Sequence, residues 1–293
     1  MNEYCIYPVY CQLKIYNVYV DNNSTTNSSY FINNGTTWDD TIIKNLTLDL
    51  SNQSFSWIVL WTTNTDWNII VDWVHVIWWW SSCYSCIDIN WWTNISNIKF
   101  TWTFSTSTSW IIVLSKCNAS KIYYYWTSNS FINCSWTWWN LSQVYWDNSA
   151  WDLDVSIGWS DWIVSDINLT EWWSEFKINS NNVRCSNIYV AWTVVIQWDS
   201  CILDSCYSVQ WITIWSWYDN NIISNCIDEI GWINITWDNN SIIGCRCWSS
   251  WWWSSATVTV NAAADKTIIS WTRTDAAISD SGTNTTTSWN IVY

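Results

Sequence analysis

Asp228 and Glu229 are adjacent, and Arg246 follows 18 residues later. Two carboxyl groups beside a cation could perform acid–base chemistry on a glycosidic bond, provided the carboxyls stand ~5–10 Å apart. Successive strand residues point to opposite faces, so Asp228 and Glu229 share a substrate only from within a turn. Asp152 and Asp154 share a face by alternation and have the better geometry. Asp199, Asp219 and Asp238 recur once per repeat. Stacked ~5 Å apart, their carboxylates would repel one another. They fit a glycan- or cation-binding row, with Ca2+ as the hard cation that takes several oxygens. They also fit a ladder of turn residues capping backbone groups, the plainer reading. Ca2+ apart, no cofactor and no resident metal is expected.

The sole histidine, His75, alternates within the strand-like run Val74–Ile77 and reads as structural. Cys83-Tyr84-Ser85-Cys86 has metal-ligand spacing, but no second such pair follows, which argues against zinc. Cys206, Cys226 and Cys245 recur with the repeat and read as small apolar packing residues.

The elements that would hold these residues are visible as repeats. Ile202-Leu203-Asp204-Ser205-Cys206 recurs as Ile222-Ile223-Ser224-Asn225-Cys226 and as Ile242-Ile243-Gly244-Cys245, aligning Ile202, Ile222 and Ile242 at an offset of 20. Trp211-Ile212-Thr213-Ile214 recurs as Trp232-Ile233-Asn234-Ile235 at an offset of 21. A period near 20 is shorter than the ~34 residues of a helical-hairpin repeat and matches one coil of a β-solenoid. Strands of successive coils then stack ~4.8 Å apart, aliphatic side chains form internal columns, and backbone groups pair between coils. The tail continues the pattern, with Lys266–Trp271 answered by Thr285–Trp289 at an offset of 18. The predicted fold is all-β: a right-handed, single-stranded parallel β-helix with coils of about 18–23 residues over residues 38–293. Residues 1–37 are expected to form an N-terminal cap or a truncated earlier coil. Residues 248–255, Trp and Ser only, read as a linker before terminal coils.

Hydrophobic residues make up 49% of the chain and charged residues 12%. The core is ample, and the polar surface falls to Asn, Ser and Thr, which suit turns and strands. A net charge of −14, with Lys and Arg scattered singly, leaves no basic footprint for nucleic acid or an anionic membrane. No apolar run suits a transmembrane helix, so no membrane insertion is expected. The start, Met1-Asn2-Glu3-Tyr4, lacks the basic-then-apolar pattern of a leader.

Thirty-five Trp stand against five Gly. Trp198-Asp199-Ser200 and Trp237-Asp238-Asn239-Asn240 put Trp where turns favour Gly, which takes positive φ without a Cβ clash. Trp78–Trp80 and Trp251–Trp253 lie beside serines, as glycines do in flexible linkers. The expectation is that most of these positions are UGA codons decoded as glycine. The alternative is a genuine Trp-rich surface that stacks on sugars.

Read with glycine at the Trp positions, Ile43-Lys44-Asn45-Leu46-Thr47-Leu48-Asp49 and the stretch Ile70–Ile77 resemble the strand–turn phrases of the pectate-lyase-like superfamily of right-handed β-helices. The segment Ala276–Asn284 resembles the final coil of phage tailspikes and secreted β-helix proteins. The resemblance covers residues 38–293. It implies a structural or glycan-binding role of tailspike or adhesin type, with a polysaccharide or cell-surface glycan as partner. It places the protein outside the cell, on a cell surface or on a virion, and the tailspike likeness implies a homotrimer. The alternative it carries is a polysaccharide lyase, hydrolase or epimerase. Polygalacturonase-like members have clustered Asp, a His between glycines and an Arg-x-Lys. Here His75 lies between Val74 and Val76 and no Arg-x-Lys occurs, which counts against that hydrolase chemistry. Lyase-like members bind Ca2+ through acidic residues, for which Asp199, Asp219 and Asp238 are the candidates.

Overall fold

A computed structural model describes residues 4–6, 13–21, 30–34, 41–49, 58–62, 69–81, 87–105, 110–125, 130–135, 140–147, 153–158, 161–170, 173–215, 218–248 and 257–292. The described secondary structure is all β-strand, and the strands pair in parallel as a β-solenoid. The chain divides into two compact units, Met1–Val155 and Ser156–Tyr293.

In the first unit, the strands Leu13–Asp21, Thr41–Asp49, Ile69–Ser81, Ile87–Ser105, Trp110–Tyr125 and Asn140–Asp147 stack in register. Ile15, Ile43, Val71, Ile95, Ala119 and Leu141 form one buried column. Leu46, Val74, Ile98, Ile122 and Val144 form a second. The two columns are three residues apart, a spacing that would put them on opposite faces of a flat strand. Between them each coil has one residue in the left-handed region: Asn17, Asn45, Trp73, Asn97, Lys121 and Gln143, at φ of 54 to 57°. That single residue bends the strand through a corner, so both aliphatics point inward. Asn suits the position because its short polar side chain tolerates left-handed backbone. Asn45 also donates to the Asn17 side chain one coil below, at 2.8 Å. Equivalent residues lie 28, 24 or 22 positions apart here, so the first two spacings exceed the coils expected from the repeat and the last falls among them.

The second unit winds through seven described coils, opened by Ile163–Leu169, Arg184–Val190, Ile202–Asp204, Ile222–Ser224, Ser241–Ile243, Ile268–Ser270 and Thr286–Ser288. Val164, Cys185, Leu203, Ile223, Ile242 and Ile269 form the internal column of this sheet. Val194, Ile212, Ile233 and Val258 form the matching column of another face. Coil lengths run 21, 18, 20, 19, 27 and 18 residues. At the turn into each sheet, buried side chains replace backbone pairing. Cys201 N–H donates to Asn221 Oδ1 at 2.8 Å, and Asn221 N–H donates to Asn240 Oδ1 at 2.9 Å.

The structure corrects one alignment. Ile202 and Ile222 are register partners, but the next is Ser241, while Ile242 lies over Ile223. The third coil shortens in the loop before Asp238, so its Ile-Ile pair is displaced by one residue. Ile202 and Ile222 therefore stand outside, and the internal column is Leu203, Ile223 and Ile242. Cys206, Cys226 and Cys245 are buried free thiols immediately before the paired residues Tyr207, Ile227 and Arg246. Burial also pushes the Cys201 thiol up to about 12, so it stays protonated and unreactive.

Trp73, Trp173, Trp271 and Trp289 all have positive φ, between 57 and 78°, and all are exposed. A bulky side chain is an outlier there, whereas glycine is at ease. Gly244 holds the same corner as Trp271 and Trp289, at φ 65°. Intact-mass measurement on protein from its natural source should give a chain several kilodaltons lighter than the printed sequence; a mass equal to that sequence would contradict the glycine reading. Residues 249–255 of the expected linker lie outside the described residues.

Candidate functional site

The corners of the first unit place one outward residue per coil immediately after the second buried column. Thr47, His75, Lys99, Tyr123 and Tyr145 form this row in register. With Asn45, Trp73 and Asn97 from the corner beside it, Thr47, His75, Lys99 and Tyr123 of this row line an open groove of about 530 Å³. Tyr123 and Tyr145 stack at 5.4 Å and 11°. Stacked along the solenoid, the two rings cover each other's faces and offer edges and hydroxyls outward. Asp72 adjoins the groove, where its Oδ1 accepts from Ser96 at 2.7 Å and Asn97 at 2.6 Å, fixing the Asn97 amide. A second outward row is an amide ladder: Asn118 donates to Asn94 and Asn140 to Asn118, each at 3.1 Å. The groove thus combines amides, hydroxyls, an imidazole and an ammonium, with no carboxylate among its lining residues.

In the second unit the same outward position carries Tyr189, Tyr207, Ile227, Arg246 and Arg273. Tyr189 and Tyr207 stack at 5.1 Å and 13°. The Tyr207 hydroxyl donates to the Glu229 carboxylate. Arg246 lies over the Trp248 ring, 4.6 Å from its centroid. Burial, then the Glu229 charge, raises the Tyr189 phenol above its ordinary value.

Asp228 sits on the other side of the strand, fully buried, stacked between Ser208 and Cys247. Its Oδ1 accepts from Gly231 N–H at 2.7 Å. Burial pushes its carboxyl up to about 8, against the backbone hydrogen bonds of Gly231, Ile212 and Ile230 that pull it down. Asp228 and Glu229 therefore face opposite ways and do not address one substrate. Asp154 lies in the strand Leu153–Ile157, but its side chain and all of Asp152 lie outside the described residues, as do Cys83 and Cys86.

Asp199, Asp219 and Asp238 occupy equivalent turns, and Asp199 and Asp238 accept from backbone. Asp219 N–H donates to Asp199 Oδ1 at 2.6 Å, and Asp265 N–H donates to Asp238 Oδ1 at 2.7 Å. Asp265, absent from the sequence-derived set, extends the row across the long coil. Burial, then the charges of Asp238 and Asp199, raises the Asp219 carboxyl. Among the described residues no cluster of three or more His, Cys, Asp or Glu could hold a metal ion.

The groove residues Lys99, Tyr123, Asn45, Asn97 and Thr47 were not singled out in the sequence. Their signal is the phrase aliphatic-x-Asn-aliphatic-x, as in Ile43–Thr47 and Ile95–Lys99, whose last residue is the outward one. No family model, curated protein or solved structure matches the chain. The class that its fold defines is a parallel β-solenoid.

Proposed function

We propose that the chain is a structural, glycan-binding β-solenoid of the tailspike or surface-adhesin kind, working outside the cell, on a cell surface or on a virion. The observation that carries this reading is the groove on the first unit. Its Asn45 and Asn97 amides, Thr47 and Tyr123 hydroxyls, His75 and Lys99 project from successive coils. A sugar polymer running along the solenoid meets new hydrogen-bonding groups at every ~4.8 Å step. Six of these groups are independent of what occupies position 73.

Titration calorimetry of the full chain against purified host-surface polysaccharides tests it. Saturable binding is expected, and Lys99→Ala with Tyr123→Ala should weaken it about tenfold or more. Absence of binding across a broad polysaccharide panel would contradict the reading. Falling viscosity or new reducing ends would instead favour a cleaving enzyme.

A further inference from the structure

The sheet that opens each coil of the second unit has two outward rows. The first row holds Ile163, Ile202, Ile222 and Ile268, of which three are 54%, 36% and 45% exposed (Ile163, Ile222 and Ile268). The second row holds Ser165, Ser224 and Ser270 at the levels of Ile163, Ile222 and Ile268. In one coil the order inverts: Ser241 stands in the first row and Ile243, 39% exposed, in the second. Each of these levels therefore presents one large apolar and one small polar side chain. Single exposed isoleucines are ordinary, but four in one row, interrupted only at the levels of Arg184 and Ser241, mark an interaction surface.

Charge separates this face from the rest of the chain. The protein carries −14, yet the described residues of the two rows include one cation, Arg184, and one anion, Asp204. Two copies can approach here without the repulsion that opposes contact elsewhere. No tryptophan lies in either row; Trp271 and Trp289 stand at the corner that follows Ser270 and Ser288.

We propose that this face is a homodimer interface, with a second copy of the chain packed against it about a two-fold axis parallel to the solenoid. That axis keeps each coil at its own level and exchanges the two rows. Ile163, Ile222 and Ile268 of each copy fall opposite the small residues Ser165, Ser224 and Ser270 of the other, while Ile202 falls opposite Asp204. The inverted coil obeys the same rule, because Ser241 falls opposite Ile243. Arg184 falls one coil step, ~4.8 Å, from the level of the other copy's Asp204. That carboxylate is already fixed by Ser224 at 2.6 Å and Asn225 at 2.9 Å, and the Ser224 and then the Asn225 hydrogen bonds hold it below its ordinary value. A two-fold axis along the strands would instead set isoleucine row against isoleucine row.

Sedimentation velocity on the full chain at micromolar concentration tests the proposal. A dimer is expected. Ile222→Lys and Ile243→Lys, made separately, should each raise the dissociation constant about tenfold or more. Both side chains are outward, so circular dichroism and melting should be unchanged. If a lysine variant misfolds, Ile222→Ser carries the test, because it removes the ridge without adding charge. A monomer at high concentration, a trimer, or a dimer indifferent to these substitutions would each overturn the proposal.

Discussion

A Gly231→Ala chain is expected to lose about 3 kcal/mol or more of stability, the upper end of overpacking costs. Gly231 closes the corner that Asp228 caps, where its N–H reaches the Asp228 carboxyl at 2.7 Å. A methyl group there would fall 2.6 Å from the Gln210 carbonyl carbon and closer still to its oxygen. These are backbone atoms of the preceding coil, tied into the ladder by Gln210 N–H to Trp192 O at 3.0 Å, so they cannot move aside cheaply. Urea titration followed by circular dichroism measures the loss. A midpoint within error of the parent would mean that the two coils are not this close.

The second large effect is a dependence of stability on pH, with Asp228 as its source. The folded carboxyl titrates at about 8 and the reference value is 3.8. Between those values the folded chain binds the proton that the unfolded chain releases. The stabilisation is thus complete below about 4 and is lost as pH rises to about 8, by at most about 1.4 kcal/mol per pH unit. Ordinary surface carboxylates finish titrating below about pH 5.5, and His75 is the one histidine. Unfolding free energies at pH 5.5, 6.5, 7.5 and 8.5 should fall in sequence for the parent chain. They should be nearly level in Asp228→Asn, which keeps an acceptor for Gly231 and removes the buried charge. A slope that persists in the variant would assign the effect to another group.

Much of this architecture was legible in the sequence, because buried columns leave a periodic record. Trp211-Ile212-Thr213-Ile214 and its copy at Trp232 pair residue for residue, as their offset implied. The slip at Ile242 shows where periodicity fails. An Ile-Ile pair reads alike in two registers one residue apart, and a shift of one residue exchanges inside for outside. The residues that settle the register are not aliphatic: the buried amide of Asn240 and the buried thiol of Cys245. In the first unit, coil length changes from 28 to 24 to 22, so no fixed offset brings Thr47, His75, Lys99 and Tyr123 together. Their row emerges only when the left-handed corner, marked by Asn17, Asn45 and Asn97, is used as the origin of each coil. The acidic turn ladder was visible as spacing, and its capping geometry followed from the tight turn. The opposed directions of Asp228 and Glu229 follow from strand alternation.

The stacking register can be tested by paired cysteines and a short thiol-bridging reagent, with intrachain links mapped by peptide mass. The native thiols of Cys134, Cys185, Cys201, Cys206, Cys226, Cys245 and Cys247 are buried and should stay inert in the folded chain. Ile202→Cys with Ile222→Cys, and Ile222→Cys with Ser241→Cys, place register partners on the outside one coil apart and should bridge in high yield. Ile222→Cys with Ile242→Cys sets one thiol outside and one inside and should not. Efficient bridging of that last pair, with none between Ile222→Cys and Ser241→Cys, would contradict the winding described for the second unit.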